Sequence, residues 1–478
     1  MTAQLTAKEA RRRDLILRAP LWKVILIITA PIALFNLLNY AYTVFDMIVL
    51  GGVSSSAINS IAFLDEIKNS ISAFGTGIGI GGAVIVARHY GAGNLVDARR
   101  SAGVTLILAG LIAIGITLLT TIFAVPLLTL LKASPEIIND GLGYFNIQII
   151  TTTVVALNTV FIGLEKTKGN TLNIMIMNLI MTGVKVLLTL LFVVVLGKGL
   201  FEAAIATLLS QLVFTGYAAF RMFSKNNILK INMKDISLKK QYVVPILMIS
   251  APIVIGRFLF SFGKVIVNTM AEFYFPGTDT VGALSVASRT HSIGGTLALA
   301  FEESEIGIIS QNIGNKNLKR ATNTFFISTG FATIIAVLGI LLTSIFSPQI
   351  ISFFTREKPE NFELAMQLFQ WERFSALSSA LIGITLGVFN GFKKSNVSFF
   401  VNFIRLIVLR IPVLMLFILV GNLGPIALGY TMFISNTGTT VICLILFTIF
   451  FIHLRNYGYQ DIEFDLGKKV DTVEEASS

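Results

Sequence analysis

Charge is scarce in this sequence. Asp, Glu, Lys and Arg make up 13% of its 478 residues, about half of what a soluble domain carries. That excludes a water-solvated surface around a conventional core. One cysteine, Cys443, excludes an intrachain disulfide framework and a cysteine-based metal cluster. It sits in an apolar run and reads as a small buried hydrophobe. With three histidines and no HExxH, P-loop or GxSxG pattern, there is no sign of a metal centre, a phosphate cradle or an activated serine. The expectation is a chain that is no enzyme, with no catalytic residues, no metal and no cofactor. A cleavable signal is missing too. The first apolar stretch follows Arg11, Arg12, Arg13 and Arg18 but runs too long for a signal core.

Apolar residues are what the chain has: 54% of the total, with a mean hydropathy of +0.79. They gather in runs of about 20 residues or more, long enough to span a bilayer as helices. The runs lie near 23–50, 57–87, 101–131, 141–163, 171–196 and 201–221, then near 243–271, 281–311, 322–354, 364–390, 397–420 and 425–452. Several exceed a simple span and should tilt, kink or extend past the lipid. Pro31, Pro126, Pro252, Pro348, Pro412 and Pro425 mark ends or kinks in this scheme. A GxGxxG match at Gly77–Gly82 follows no strand, and close helix packing through small residues is the better reading.

The net charge of +11 does not point to nucleic acid, because the basic residues are scattered over short loops and form no patch. Their alternation fixes a topology instead. One set of loops holds about 25 Lys and Arg, among them Arg11–Arg13, Arg99, Arg100, Lys166, Lys168, Lys239, Lys240, Lys316, Lys319, Arg320, Lys393 and Lys394; the other holds only Lys132, Lys198, Arg356 and Lys358. The basic side is cytoplasmic, so both termini are cytoplasmic and the helix count is even. The expected organisation is a cytoplasmic tail at 1–22, a first lobe at 23–221, a cytoplasmic linker at 222–242, a second lobe at 243–453 and a cytoplasmic tail at 454–478.

An internal repeat supports the division. Gly91, Asn94, Leu95 and Ala98 recur as Gly314, Asn317, Leu318 and Ala321, about 223 residues later. Ala30-Pro31 recurs as Ala251-Pro252, and Phe161 and Gly163 as Phe389 and Gly391. Six helices per half give both halves one orientation, so the fold expected is all-α and integral to the membrane. Twelve transmembrane helices form two six-helix lobes related by a pseudo-two-fold axis along the membrane normal. Binding sites in such folds lie near the midplane between the halves.

Pro31, the late first-helix carboxylate Asp46, the turn at 91–94, its counterpart at 314–317 and the run Ala203–Thr207 together resemble the multidrug and toxic compound extrusion (MATE) family, within the superfamily that also holds flippases of lipid-linked oligosaccharides. The resemblance extends from about residue 20 to 453. It implies an antiporter of the cell membrane that exports a small molecule against inward H⁺ or Na⁺. Family members often place an Asn and an Asp on the fifth helix beside the first-helix Asp. Here that helix holds Asn173, Asn178 and Lys185 and no carboxylate. A lysine there repels Na⁺ and tilts the expectation to H⁺.

A charge at bilayer depth costs at least about 2.5–3.5 kcal/mol, so each buried candidate needs a partner or a wet cavity. Asp46 reads as the coupling carboxylate, since a carboxyl group out of water holds its proton more tightly; the alternative is an Asp capping the helix before Gly51 and Gly52. Lys185 is expected to pair with Asp46, or with Asp65 or Glu66, and Asn178 and Asn158 complete the coupling set. The second helix carries Asp65, Glu66 and Lys68, and the eighth carries Arg289, His291, Glu302, Glu303 and Glu305. With Arg257 and Lys264 on the seventh and Glu372 and Arg373 on the tenth, these form the expected substrate cavity, set mainly in the second half and suited to a charged or zwitterionic molecule. The competing reading of each is an interhelical ion pair, and Glu302 and Glu303 could also end a helix. A flippase for a lipid-linked saccharide or another amphipathic lipid precursor is the alternative function. The expected partners are a small-molecule substrate and the lipid bilayer, with no nucleic acid, and the chain is expected to act as a monomer.

Overall fold

The computed structural model describes residues 6–51, 55–131, 135–224, 227–232, 236–276, 278–356 and 358–458. The tail from 459 onward and positions 225, 226 and 233–235 of the expected linker lie outside the described residues.

The chain opens with α1 (Ala7–Arg18), set by a reciprocal cap in which Thr6 Oγ1 accepts from the Glu9 N–H and Thr6 N–H donates to the Glu9 carboxylate. The first half then runs α2 (Leu21–Gly51), α3 (Ser55–Ala92), α4 (Leu95–Ile122) with the short α5 (Ala124–Leu130), α6 (Pro135–Thr167), α7 (Thr171–Thr189) and α8 (Leu200–Phe223). In the second half come α9 (Lys240–Tyr274), α10 (Thr280–Gly314), α11 (Leu318–Ile345) with the short α12 (Ser347–Phe354), and α13 (Phe362–Glu372) followed by α14 (Ser375–Gly391). The series ends with α15 (Asn396–Phe403), α16 (Ile411–Leu419) and α17 (Ala427–Tyr457). The fifth span of each half contains π-helical turns, Leu190–Val195 after α7 and Ile404–Arg410 between α15 and α16.

Among the described residues, ten segments are long and apolar enough to cross a membrane, and α13 with α14 makes an eleventh span bent by 44°. The twelfth is α10, whose 35 residues would extend about 50 Å but whose Arg289, His291, Glu302, Glu303 and Glu305 make it too polar to pass on composition. The fold is therefore the twelve-helix, two-lobe membrane fold expected. The long runs at 101–131 and 322–354 each resolve into a span plus a short helix carrying proline, Pro126 in α5 and Pro348 at the start of α12. Pro31 and Pro252 lie inside α2 and α9. Pro412 starts α16 directly after the π-helical turns.

The halves interlock. The first helix of each packs on the second helix of the other, α2 on α10 and α9 on α3. Glycine makes the second contact possible. A Cβ on Gly77 would meet Val254 at 2.6 Å and one on Gly81 would meet Ser250 at 2.2 Å. The glycine run of α3 is thus a helix-packing surface. On the outside, Leu118, Ile122, Val195, Phe220 and Val420 are exposed, as a lipid-facing surface requires.

The internal repeat has a structural reason. Asn94 and Asn317 cap α4 and α11, accepting from the Asp97 and Arg320 N–H groups at 3.2 and 3.0 Å. Ala98 and Ala321 are fully buried. The turn before each cap needs one left-handed residue, Gly93 (φ 82°) in the first half and Lys316 (φ 58°) in the second.

Candidate functional site

The first lobe holds an acid–base pair. Lys185 of α7 donates to Asp46 Oδ2 of α2 at 2.5 Å. Its side chain is 4% exposed, that of Asp46 23%. The Lys185 ammonium also sits 3.4 Å from the centre of the Tyr42 ring, a cation–π contact that offsets part of its lost hydration. The other Asp46 oxygen has no hydrogen-bond partner among the described residues. A second neutral pair stands on α3, where Lys68 donates to Asp65 at 2.7 Å and the Tyr144 hydroxyl of α6 donates to the same oxygen at 3.2 Å. Of the expected coupling set, Asp46 and Lys185 meet. Asn178 donates to Phe35 O, and Asn158 bonds Gln211 and Thr215. Both asparagines face the central cavity instead.

That cavity, of about 510 Å³, opens between the lobes and is walled by α2, α3, α6, α7, α8, α9 and α10. Its charged residues are Lys166 at the end of α6, Arg257 of α9, and Glu302 and Glu303 of α10. Lys166 and Glu303 form an ion pair, with Asn36 adding a long bond to Glu303 at 3.4 Å. Room for the acids comes from α14, where a Cβ on Gly383 would lie 2.8 Å from Glu302 and one on Gly387 2.5 Å from Glu305. Phe35, Phe214 and Phe260 supply aromatic wall, and Asn39, Asn69 and Gln211 supply amides.

From the expected substrate set, the cavity takes Arg257, Glu302 and Glu303. Both glutamates lie within α10 and do not end it. The others stand elsewhere. Asp65 and Lys68 are paired, Lys264 faces Glu66 across the lobes at 3.7 Å, and the Arg289 carbonyl accepts from Tyr40 at 2.8 Å. Glu372 accepts from Ser288 at 2.7 Å, with His291 Nδ1 3.9 Å away. Arg373 lies against the neighbouring Phe374 ring. Glu305 is fully buried between α10 and α14, and neither carboxyl oxygen has a partner among the described residues. The cavity thus draws more of its wall from the first half than sequence reasoning expected. By sequence Lys166 is one of the loop charges, and Asn39, Asn69 and Gln211 carry no mark that sets them apart. The acids of the eighth span were the available hint that a base must face them.

At the end that carries both termini, the lobes close on each other. Arg88 of α3 donates to Gly391 O at the end of α14, and Gln311 of α10 donates to Thr167 O at the end of α6, at 3.2 and 2.8 Å. Beneath this seam α1 touches both halves. Arg13 donates to Gly91 O at 2.8 Å, and Arg320 donates to Ile16 O and Ala19 O.

Comparison with known proteins agrees with this architecture. A FAD transporter from Shewanella oneidensis is 24% identical over 413 residues, covering 83% of this chain and 88% of its own length. The multidrug export protein MepA of Staphylococcus haemolyticus is 22% identical over 69% of this chain and 75% of its own. The solved outward-facing structure of a multidrug resistance MATE transporter of the MOP superfamily superposes with a TM-score of 0.87 at 19% identity, over 95% of this chain and 99% of that one. The MatE family model matches residues 31–191 and 252–416, one block in each half, and the chain belongs to the MatE family of transporters.

Proposed function

We propose that the protein exports small organic molecules bearing charge of both signs, by alternating access coupled to inward H⁺ flow. The observation that carries this reading is the Lys185–Asp46 ion pair. A proton arriving at Asp46 cancels one partner and frees the other, so protonation and local packing are linked in one lobe. The lysine ammonium already stands against the carboxylate that a Na⁺ ion would need, which favours H⁺ over Na⁺. The substrate cavity supports the rest: Lys166, Arg257, Glu302 and Glu303 offer both signs of charge, beside aromatic rings and amides. We further propose that the protein works as a monomer in the cell membrane with both termini in the cytoplasm. The loop-charge asymmetry of the sequence supports that orientation.

A second substrate reading is a flavin or related nucleotide. It is favoured by the wall of Asn39, Asn69, Asn158, Asn178 and Gln211 next to Phe35, Phe214 and Phe260, a lining able to bind a flat heterocycle, and by the relative described as a FAD transporter.

The test is proton flux in proteoliposomes containing a trapped pH dye. A zwitterionic aromatic amino acid derivative and FAD are added separately, with H⁺ and Na⁺ gradients imposed in turn. Substrate-dependent H⁺ movement that disappears in Asp46→Asn is expected. Absence of any H⁺ movement with either probe, or normal flux in Asp46→Asn, would sink the proposal.

A further inference from the structure

The core of the second lobe holds two arginines that share a single neutral acceptor. Arg405 and Arg410 lie in the π-helical turns of the fifth span and are 7% and 4% exposed. Both converge on one neutral oxygen. Arg405 donates from Nε and Nη2 to Asn436 Oδ1 at 3.1 and 2.6 Å, and Arg410 donates from Nη2 to the same atom at 2.8 Å. Arg410 Nε reaches Ser435 Oγ at 3.3 Å, and the Asn436 amide is held in turn by donating to Ser375 Oγ at 2.6 Å. Each guanidinium keeps its Nη1 without a protein hydrogen bond among the described residues. The nearby acid, Glu372, is engaged by Ser288 and faces His291, and makes no ion pair within 4 Å with either arginine among the described residues.

A buried guanidinium is tolerated when a carboxylate or other anion neutralises it. Two of them sharing an amide oxygen leave a surplus positive charge even with Glu372 ionised. The first lobe offers a contrast in two neutral pairs, Lys185 with Asp46 and Lys68 with Asp65. The planar fork of arginine is suited to a carboxylate, and two adjacent positive charges also attract a halide. One ring separates this pair from the central cavity: the Arg405 guanidinium lies 4.6 Å from the centre of the Phe260 ring, and Phe260 lines that cavity.

We infer that Arg405 and Arg410, organised by Asn436, form a binding site for a small monovalent anion, either a halide or the carboxylate of an organic molecule. This site is separate from the Asp46–Lys185 pair, and binding to it is read without transport.

The chain supplies its own reporter. Its two tryptophans are Trp22 and Trp371. Trp371 packs on Tyr430 at 4.7 Å and Phe433 at 5.7 Å, one residue from Glu372. The full-length Trp22→Phe protein in lipid nanodiscs, kept in a bulky zwitterionic buffer, is titrated with sodium chloride and separately with sodium benzoate. Trp371 fluorescence and the thermal midpoint are followed. A saturable response is expected. Chloride alone assigns a halide, and benzoate assigns an organic carboxylate. Arg410→Gln should weaken it at least tenfold. Asn436→Asp should remove it and raise the anion-free midpoint, because the new carboxylate is a built-in counterion. If Arg410→Gln does not fold, Asn436→Asp decides. Silence of the parent protein to both salts, or a parent-like response surviving in either folded variant, overturns the inference.

Discussion

Gly91 and Gly314 stand in the same relation to each other's helix. A Cβ on Gly91 would lie 2.2 Å from Gln311 O, and a Cβ on Gly314 would lie 2.2 Å from Arg88 O. Each glycine meets the backbone three residues before the other, so α3 and α10 cross as a symmetric pair would. Any side chain at either position must push the lobes apart at the end holding the termini. Gly91→Val is therefore expected to disfavour the closed arrangement by about 1–3 kcal/mol, roughly a 5- to 150-fold shift in population. Spin labels at Val96→Cys and Lys319→Cys, in a Cys443→Ala background, would report it as a longer interlobe distance. Unchanged distances would show that the glycines are not a closing surface.

The Lys185–Asp46 pair makes a stability prediction distinct from transport. Removing one member leaves the other charge stranded in an apolar interior, whereas removing both does not. Asp46→Asn is expected to remain folded but lose about 1–3 kcal/mol, less than the usual cost of breaking a buried pair because the stranded Lys185 ammonium keeps its contact with the Tyr42 ring. Asp46→Asn combined with Lys185→Met should recover most of that loss. Thermal unfolding in detergent, read as a double-mutant cycle, checks it. Equal destabilisation by the single and double variants would mean the two residues do not interact.

Arg320 fastens α1 to the second half through Ile16 O and Ala19 O. Charged donors to backbone carbonyls are worth about 1.5–3 kcal/mol, less at a half-buried site. Arg320→Ala should loosen α1 and speed trypsin cleavage after Arg11, Arg12 or Arg13 by roughly tenfold. Timed proteolysis with N-terminal sequencing reads this directly.

Outside the spans, Asp279 caps α10 by accepting from the Gly282 N–H at 3.1 Å. Burial alone would push its carboxyl up, but hydrogen bonds from Lys358 and Asn361, the Lys358 charge and the Gly282 N–H outweigh it and hold the group below its usual value. A carboxyl held low when folded adds stability above its unfolded value near pH 3.9, and that stability is lost as pH falls through the folded value. Asp279→Ala should thus cost about 1 kcal/mol at neutral pH, a cap's worth. The difference from the parent should shrink below about pH 4. A pH-independent difference would assign the effect to packing.

Much of this fold was legible because lipid imposes simple rules. Apolar length marks the spans, and loop charge fixes their alternation. Even α10, the most polar of the spans, reads as an apolar run at 281–311, and the loop-charge alternation requires a span there. The Asp46–Lys185 contact was legible as a pairing because a deep lysine demands an acid and few were available. Pairings set by interlobe packing were not. Lys166 and Glu303 lie 137 positions apart, and nothing in either local sequence says that the end of α6 meets the middle of α10. The amide wall was equally hidden, since Asn39, Asn69 and Gln211 look like ordinary polar residues until the helices are placed together.

The neutrality of the Lys185–Asp46 pair has an electrical consequence. One proton added to a neutral pair leaves a full positive charge inside the bilayer. A membrane potential acts on such a charge with about 2.3 kcal/mol per 100 mV. Under the coupling reading, an inside-negative voltage pulls the protonated lobe toward proton release even when the pH is the same on both sides. Transport would then draw current, and its rate would steepen with membrane voltage.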